Sequence, residues 1–399
     1  MKKFICKHPW SHFEINNPNG DVTMCCNNNT VLGNVNEGNV MDIWNGEKFQ
    51  KVRTQMVKDG AHSMCPHTCP VLQGGKKYEN LDWYKELSED GEQRQNAELN
   101  ESEFKNQEVE LQSLPRWFRF TYSYACNLDC YHCYQREDAT LRTKLPKSFM
   151  GEIPHYAKIA QMVYPFGGEP FYFGPVLEFL ESHNANLETR FFFITNGTLL
   201  TDRVYKILET VPISCMAVSL DAASEETFDN LRVRGRKAKW TTVLENLERL
   251  KDLQQRKGFQ LKVSMTLNSK NCHEIEKFVD IGLNFNAEPL VMLVANPYQT
   301  IEFQSEYLHF SDLQFRKMEE SVFNSIPKVR RAGFDDAELF LTELLKRLRY
   351  HKGSDNEIIN FGVKKVARNV FHALPEQLQI PVRKWVQKKR VQKFAKLDN

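Results

Sequence analysis

The stretch Cys126-Asn127-Leu128-Asp129-Cys130-Tyr131-His132-Cys133 decides how this chain is read. It begins just past a strand-like run, Trp117–Tyr122, so its cysteines sit on a loop at a strand end. Three soft thiolates so close together can wrap one soft metal centre. A closed structural zinc or iron–sulfur site takes four protein ligands. Three cysteines therefore leave either an open coordination position, where chemistry happens, or a fourth ligand from elsewhere, with His132 the nearest candidate.

Outward from this loop the chain alternates strand-like and helix-like segments. Further strand candidates are Ile159–Tyr164, Arg190–Thr195, Ser214–Leu220, Leu261–Leu267 and Ala287–Leu293. Between them lie the amphipathic stretches Val176–His183, Asp202–Glu209, Thr241–Leu253 and Glu274–Ile281, the last opening with a capping box of Asn271 and Glu274. Strand–helix repetition of this kind predicts an α/β fold with a parallel sheet, here a partial (β/α)6 TIM-like barrel with its functional groups at the C-terminal strand ends. A polar stretch, Gly74 to Ser113, reads as a solvated helical connector around Leu81 to Leu99. Helical signals dominate from Phe310 onward, with a break near Gly353. The resulting division is 1–75, an N-terminal cysteine-bearing domain; 76–113, a linker; 114–296, the barrel; and 297–399, a helical C-terminal region.

Composition bounds the function. The 399 residues are 41% hydrophobic and 26% charged, as in a globular rather than a disordered chain. Lys and Arg number 53 against 51 Asp and Glu, so no overall charge draws the chain to nucleic acid or anionic membrane. Met1 to Trp10 lacks an apolar signal-peptide core, and no apolar run is long enough to span a bilayer, so a cytoplasmic location is expected. In a reduced compartment the ten cysteines read as metal ligands or catalysts rather than disulfides.

The Cys-x3-Cys-x2-Cys loop after the first barrel strand resembles the signature of the radical S-adenosylmethionine (SAM) enzymes, with His132 in their usually aromatic slot. The resemblance implies that Cys126, Cys130 and Cys133 hold a [4Fe–4S] cluster whose fourth iron binds SAM. It implies reductive cleavage of SAM to a 5′-deoxyadenosyl radical that abstracts hydrogen from substrate, and an electron donor such as flavodoxin or ferredoxin. Gly167-Gly168-Glu169-Pro170, one βα unit later, is similar to the family motif that binds the SAM amino group. Its glycines suit close backbone approach to a ligand and its carboxylate suits an ammonium. Thr195-Asn196-Gly197 resembles the polar strand end that touches SAM and Ser219-Leu220-Asp221 the Ser-Leu-Asp segment common in the superfamily; Thr195, Asn196, Ser219, Asp221 and Asn268, which ends the fifth strand, are the further cofactor contacts expected. Arg232 and Arg234 follow the fourth strand and read by default as solvated arginines, with pairing to a carboxylate as the alternative.

In the first seventy residues stand Cys6, Cys25, Cys26, Cys65 and Cys69, enough for a closed zinc or iron–sulfur site. Leu32-Gly33-Asn34-Val35, and Asp42-Ile43-Trp44-Asn45-Gly46 through Phe49, resemble the auxiliary-cluster module called SPASM, or twitch in its single-cluster form. That implies one auxiliary [4Fe–4S] cluster on Cys6, Cys25, Cys65 and Cys69, with Cys26 left over. The module usually follows the barrel and here precedes it. By family analogy the substrate is a peptide or protein that is oxidised, crosslinked or epimerised, with the auxiliary cluster relaying electrons. A sugar or aminocyclitol dehydrogenase is the alternative, and a zinc-bound interaction protein is the reading of another class. Cys215 reads as a core residue well below Ser219, and Cys272 as a residue of a helix's first turn near the active face. Tyr124, Tyr134, Tyr164 and Tyr172 read as packing beside the motifs. Residues 381–399 form a basic tail with a partial apolar stripe, suited to an acidic partner or to docking as a solvated helix.

Overall fold

The fold is given by a computed structural model, described over residues 3–28, 30–66, 69, 71–72, 81–133, 135, 143–182, 188–233, 238–294 and 308–350. Arg234, Tyr134, the break near Gly353 and the basic tail lie outside the described residues.

The barrel is organised by β4 (Trp117–Ser123). One face of this strand carries Phe118, Phe120 and Tyr122, all fully buried. Phe118 stacks on Phe149 and Tyr156 of α5 (Lys147–Ile159), and Phe120 meets Phe179 of α6 (Gly174–Ser182) edge-on. Each such ring contributes about 1.5–3 kcal/mol of burial. The alternate residues Trp117, Arg119 and Thr121 face the other way, where Trp117 packs with Leu81, Met162 and Tyr164. β5 (Met162–Gly167), β6 (Arg190–Thr195), β7 (Ile213–Ser219) and β8 (Gln260–Leu267) follow in parallel, each paired to the last. With β9 (Glu288–Leu293) this is the expected six-stranded partial barrel, and its sheet does not close. β6 occupies the predicted span. β5 starts at Met162 rather than Ile159, because α5 continues through Ile159 and the chain turns extended only at Ala160.

The same sheet runs on into the N-terminal segment. β1 (His12–Ile15) pairs parallel to β4, from His12 opposite Trp117 to Ile15 opposite Phe120. β2 (Asp21–Thr23) and β3 (Gly33–Asn34) add antiparallel beyond it, giving the order β3-β2-β1-β4-β5-β6-β7-β8-β9. Phe13 lies flat on Phe118 at 5.4 Å. The helices of this segment are α1 (His8–Ser11), α2 (Val40–Trp44) and α3 (Glu47–Asp59). The buried Arg53 of α3 sits over the Trp44 ring and donates to the carbonyls of Pro9 and Val109.

The connector differs from its reading as a solvated helix. α4 (Glu92–Asn106) buries Gln93, Ala97, Asn100 and Glu103. Gln93 donates to the Ala160 carbonyl at 2.9 Å and Asn100 to the Trp10 carbonyl at 2.6 Å, so the helix clasps N-terminal segment and barrel together. α7 (Asp202–Thr210), α8 (Glu225–Phe228), a π-helical turn (Asp229–Val233) and α9 (Trp240–Lys257) complete the helices between β6 and β8. α10 (Ile275–Asn284) follows β8.

By their described residues, two compact units divide the chain: 1–264 with 280–289, and 265–279 with those from 290 onward. In the second, α11 (Asp312–Arg331) packs against α12 (Asp335–Tyr350). The capping box expected at Asn271 does not form. The Asn271 side chain instead accepts from Asn268 N at 2.8 Å and donates to the Thr266 carbonyl at 3.1 Å. A capping box is found at Ser311 and Gln314, opening α11. Among the described residues no helix is long and apolar enough to cross a membrane.

Candidate active site

The cysteine loop leaves the C-terminal end of β4, where pairing with β5 shifts register between Thr121 and Ser123. Cys126, Cys130 and Cys133 are all partly exposed along it. Burial pushes the Cys126 thiol up to about 11 and Cys130 to about 12. Two strand ends hold the loop. Gly168 N donates to Ser123 O at 2.9 Å and Glu169 N to Ala125 O at 3.0 Å. A Cβ on Gly168 would lie 2.0 Å from Ala125 O, and one on Gly167 2.1 Å from Ser123 O. These glycines therefore admit the backbone that leads into Cys126, which is a different reason from the close ligand approach expected of them.

Glu169 is buried and caps the turn Pro170–Tyr172 that Pro170 opens. Thr195 Oγ1 donates to its Oε1 and Asn196 N to its Oε2, each at 2.7 Å. Burial still outweighs these bonds and pushes the carboxyl up to about 7. Thr195 and Asn196, expected to touch a ligand, thus hold Glu169. The Asn196 amide also donates to Asn127 Oδ1 at 2.9 Å and lies 3.7 Å from Cys126 Sγ, tying the third strand end to the cysteine loop.

Ser219 closes β7, and Asp221 follows in the left-handed region at φ 57°, which aspartate tolerates better than most residues. Asp221 is buried and ion-paired to Arg232, and its Oδ2 lies 3.4 Å from His132 Nε2. Arg232 is the residue the sequence reading placed in solvent; it is buried beside the cysteine loop. Tyr131 N donates to Leu231 O at 2.8 Å, which docks the loop on the π-helical turn that carries Arg232. A π turn breaks the helical pattern and often marks a functional site, but it has no hydrophobic periodicity to betray it. Asn268 behaves otherwise: its amide donates to Thr266 O and accepts from Lys270 N, so it serves its own turn.

The N-terminal cysteines gather beside β1, with Cys25 a neighbour of Glu14 and Cys26 a neighbour of Arg119. β2 pairs with β1 so that the chain beyond Thr23 runs back toward the start of β4. Cys6, Cys25 and Cys69 are buried, Cys65 is partly exposed and Cys26 is exposed. Burial raises the Cys25 thiol far above its ordinary value, with Glu14 and Cys6 among its charged neighbours. Cys65 is pushed up to about 11 by burial, with Cys69 beside it. Ala61 N donates to Phe4 O at 2.8 Å and the Asn28 amide to Met64 O at 3.1 Å, so the three cysteine-bearing segments are stitched together. Inside the barrel, Glu14 of β1 pairs with Arg119 of β4 at 2.9 Å, and Lys262 of β8 with Glu288 at 3.0 Å. A 720 Å³ cavity lined by Trp83, Trp117, Arg190, Cys215, Lys257 and Gln260 opens at the N-terminal ends of the strands, away from the cysteine loop.

Residues 120–280 match the radical SAM superfamily, and residues 6–70 match SPASM, an iron-sulfur cluster-binding domain. The chain carries a radical SAM domain preceded by a SPASM domain. The chain is 27% identical over 184 residues to an AdoMet-dependent heme synthase of Methanosarcina barkeri, covering 45% of this chain and 50% of that one. It is 27% identical over 177 residues to the mycofactocin maturase MftC of Mycolicibacterium smegmatis, covering 41% of each. It thus spans half or less of the length of these relatives. Among solved structures, SuiB of Streptococcus suis bound to precursor peptide SuiA is 15% identical with a TM-score of 0.42, covering 73% of this chain and 62% of that one. The anSMEcpe structure with bound AdoMet is 18% identical with a TM-score of 0.40, covering 53% and 60%.

A radical SAM domain with a SPASM domain implies SAM and two [4Fe–4S] clusters. The residues present fit the SAM-binding cluster. The loop offers three thiols and no fourth cysteine. Among the described residues, three buried polar atoms around it lack hydrogen-bond partners: Tyr122 Oη, His132 Nδ1 and Arg232 Nε. Unpaired buried polar atoms mark a place where a polar group is accommodated. No three His, Cys, Asp or Glu side chains among the described residues converge on a single-ion site.

Proposed function

We propose that this chain is a radical SAM enzyme that modifies a peptide or protein by hydrogen abstraction. Cys126, Cys130 and Cys133 would hold the SAM-binding cluster, and Cys6, Cys25, Cys65 and Cys69 the auxiliary one. The observation that carries the reading is the junction of three strand ends on the cysteine loop, through the backbone of Ser123 to Ala125, the Glu169 carboxylate and the Asn196 amide. When bound, the first cluster supplies the electron that cleaves SAM to methionine and a 5′-deoxyadenosyl radical. Glu169, gripped by Thr195 Oγ1 and Asn196 N, presents a buried carboxylate, and an ammonium arriving there favours its ionised form. Asn196 orients Asn127 and with it the start of the loop. Ser219 ends the strand that positions Asp221, and Asp221 holds Arg232. On the inner face, the Glu14–Arg119 and Lys262–Glu288 pairs give a polar lining suited to a polar substrate.

The peptide reading rests on the pairing of a SPASM domain with a radical SAM domain, and a maturase is among the matched relatives. The match to a heme synthase favours a second reading, a small-molecule substrate. A short reading frame for a precursor peptide beside the gene supports the first; sugar-nucleotide genes there support the second. Anaerobic reconstitution tests the enzyme itself. About eight irons per chain and 5′-deoxyadenosine formed from SAM under reductant are expected, two clusters of four irons each. Bound zinc with no SAM cleavage would sink it. Replacing Cys126, Cys130 and Cys133 together by Ala abolishes cleavage, and survival of cleavage would refute the assignment of that loop.

A further inference from the structure

We infer that the cavity at the N-terminal ends of the barrel strands anchors the substrate peptide. It takes an acidic residue that stands beside a large apolar one, and Arg190 reads the carboxylate. This rests on the reading of the substrate as a peptide. The cavity measures 720 Å³, within the range of about 300–1,000 Å³ usual for ligand sites. Trp117, Met162 and Ile213 line it as buried apolar residues. Arg190 and Ser214 are partly exposed and Gln260 is exposed, so the polar groups form its rim.

Among the described residues the lining carries two cations, Arg190 and Lys257, and no acid. Lys257 has spent its donors at the end of α7, on the carbonyls of Leu208, Glu209 and Val211 at 2.8, 2.7 and 2.9 Å. Its charge stays at the cavity wall while its N–H groups stay with the helix. Arg190 is placed differently. Its guanidinium lies over the Trp83 ring at 4.1 Å, which sets its plane, and its Nη2 reaches Glu86 Oε2 at 3.4 Å. The Glu86 side chain is 67% exposed, so this is a loose surface pair of little worth. A guanidinium offers a planar fork of donors that can grip a carboxylate through two bonds at once. Glu86 therefore marks where a carboxylate sits, and a ligand's acid competes with it for that place. Glu209, the acid beside Lys257, has both oxygens held by Arg256 at 2.8 and 2.9 Å and is no rival.

The barrel interior joins this cavity to the cysteine loop. On β5 to β8 the outward-facing Val163, Phe193, Val218 and Val263 are fully buried. The inward-facing Phe166, Ile194, Ser219 and Ser264 are partly exposed. A sheet whose inner face is wetter than its outer face encloses an accessible lumen. From Cys215 in the cavity to Ser219 at the end of β7 is about 13 Å of strand. An extended peptide anchored at Arg190 thus brings a residue about four positions away to the level of the cysteine loop.

The test is calorimetric titration of the full chain, reconstituted anaerobically, with acetyl-Ala-Ala-Phe-Glu-Ala-amide and its Gln counterpart. The Glu peptide is expected to bind about tenfold more tightly than the Gln peptide, the worth of one charge-assisted pair. Arg190→Gln removes that preference, and Arg190→Lys keeps part of it as a point charge without the fork. Glu86→Gln removes the rival carboxylate and tightens the Glu peptide further. Equal binding of the two peptides, no binding of either, or a preference that survives Arg190→Gln would each overturn the inference. So would weaker binding of the Glu peptide by Glu86→Gln, or free acetylglutamate binding more tightly than the peptide. Calorimetry does not depend on SAM cleavage. A chain that forms no 5′-deoxyadenosine therefore refutes the enzyme reading separately, without touching the measured preference.

Discussion

Replacing Gly168 by alanine puts one methyl group where the backbone has no room for it. The added Cβ would sit 2.0 Å from Ala125 O, 2.5 Å from Ala125 C and 2.6 Å from Tyr124 O. All three are main-chain atoms, so no rotamer change relieves the overlap. Ordinary contact begins near 3.4 Å, so the Ala125 carbonyl must retreat by more than 1 Å. It is the residue before Cys126 and accepts the Glu169 N–H, so the retreat breaks that bond and moves the first cysteine. Overpacking of this kind costs about 1–3 kcal/mol, and a 1 Å misplacement of reacting groups lowers rates about 100-fold. Gly168→Ala is expected to fall from about eight irons per chain to about four, with SAM cleavage down about 100-fold. Gly151→Ala is the control: it lies within α5 with nothing within 4 Å of its added Cβ. Exchange of a helical glycine there adds about 0.5–1 kcal/mol of stability. A Gly168→Ala chain that loads iron and cleaves SAM like native refutes the close approach as the reason for the glycines.

The two thiols at 25 and 26 separate by burial: Cys26→Ala keeps about eight irons and Cys25→Ala retains about four, by iron assay. Arg53→Met leaves the carbonyls of Pro9 and Val109 without their donor and lowers stability by about 2–4 kcal/mol in denaturant melts. His8 is held neutral by burial, its pKa lowered to about 4, so acidification protonates it first in the unfolded chain. Stability therefore falls as pH drops from 6.5 toward 4, by up to about 3 kcal/mol, and His8→Phe flattens that limb of a melting-temperature profile.

Legibility followed chemistry more than hydrophobicity. The radical SAM and SPASM domains and the barrel strands were readable because residue type and spacing mark them. The limits of β6 matched, since Arg190 to Thr195 is a β-rich run with clean borders. β5 slid because Ile159 suits either element and only the extended turn at Ala160 separates them. α4 was misread for a deeper reason. Three of its four buried residues are Gln93, Asn100 and Glu103, which are buried by hydrogen bonds that no apolar periodicity reveals. Arg232 hid in the same way. Its partner Asp221 is eleven residues away and reaches it only through a left-handed backbone turn. The reading of Asn268 as a contact residue relied on its strand-end position, and position alone did not show the bonds that its side chain makes within its own turn.

The strand that joins the N-terminal segment to the barrel bears on how the chain can assemble. β1 is four residues long and pairs with a strand 105 positions further on. Such non-local parallel pairing is slow, because the intervening loop must close before any contact rewards it. During synthesis the β1–β2 hairpin emerges first and waits with one edge bare until β4 arrives. Its inward Glu14 waits with it, since the counter-charge is Arg119. The two segments are therefore born separately but mature together. Deleting the first would leave β4 as an open edge with a stranded buried cation, a template for aggregation rather than a smaller working barrel.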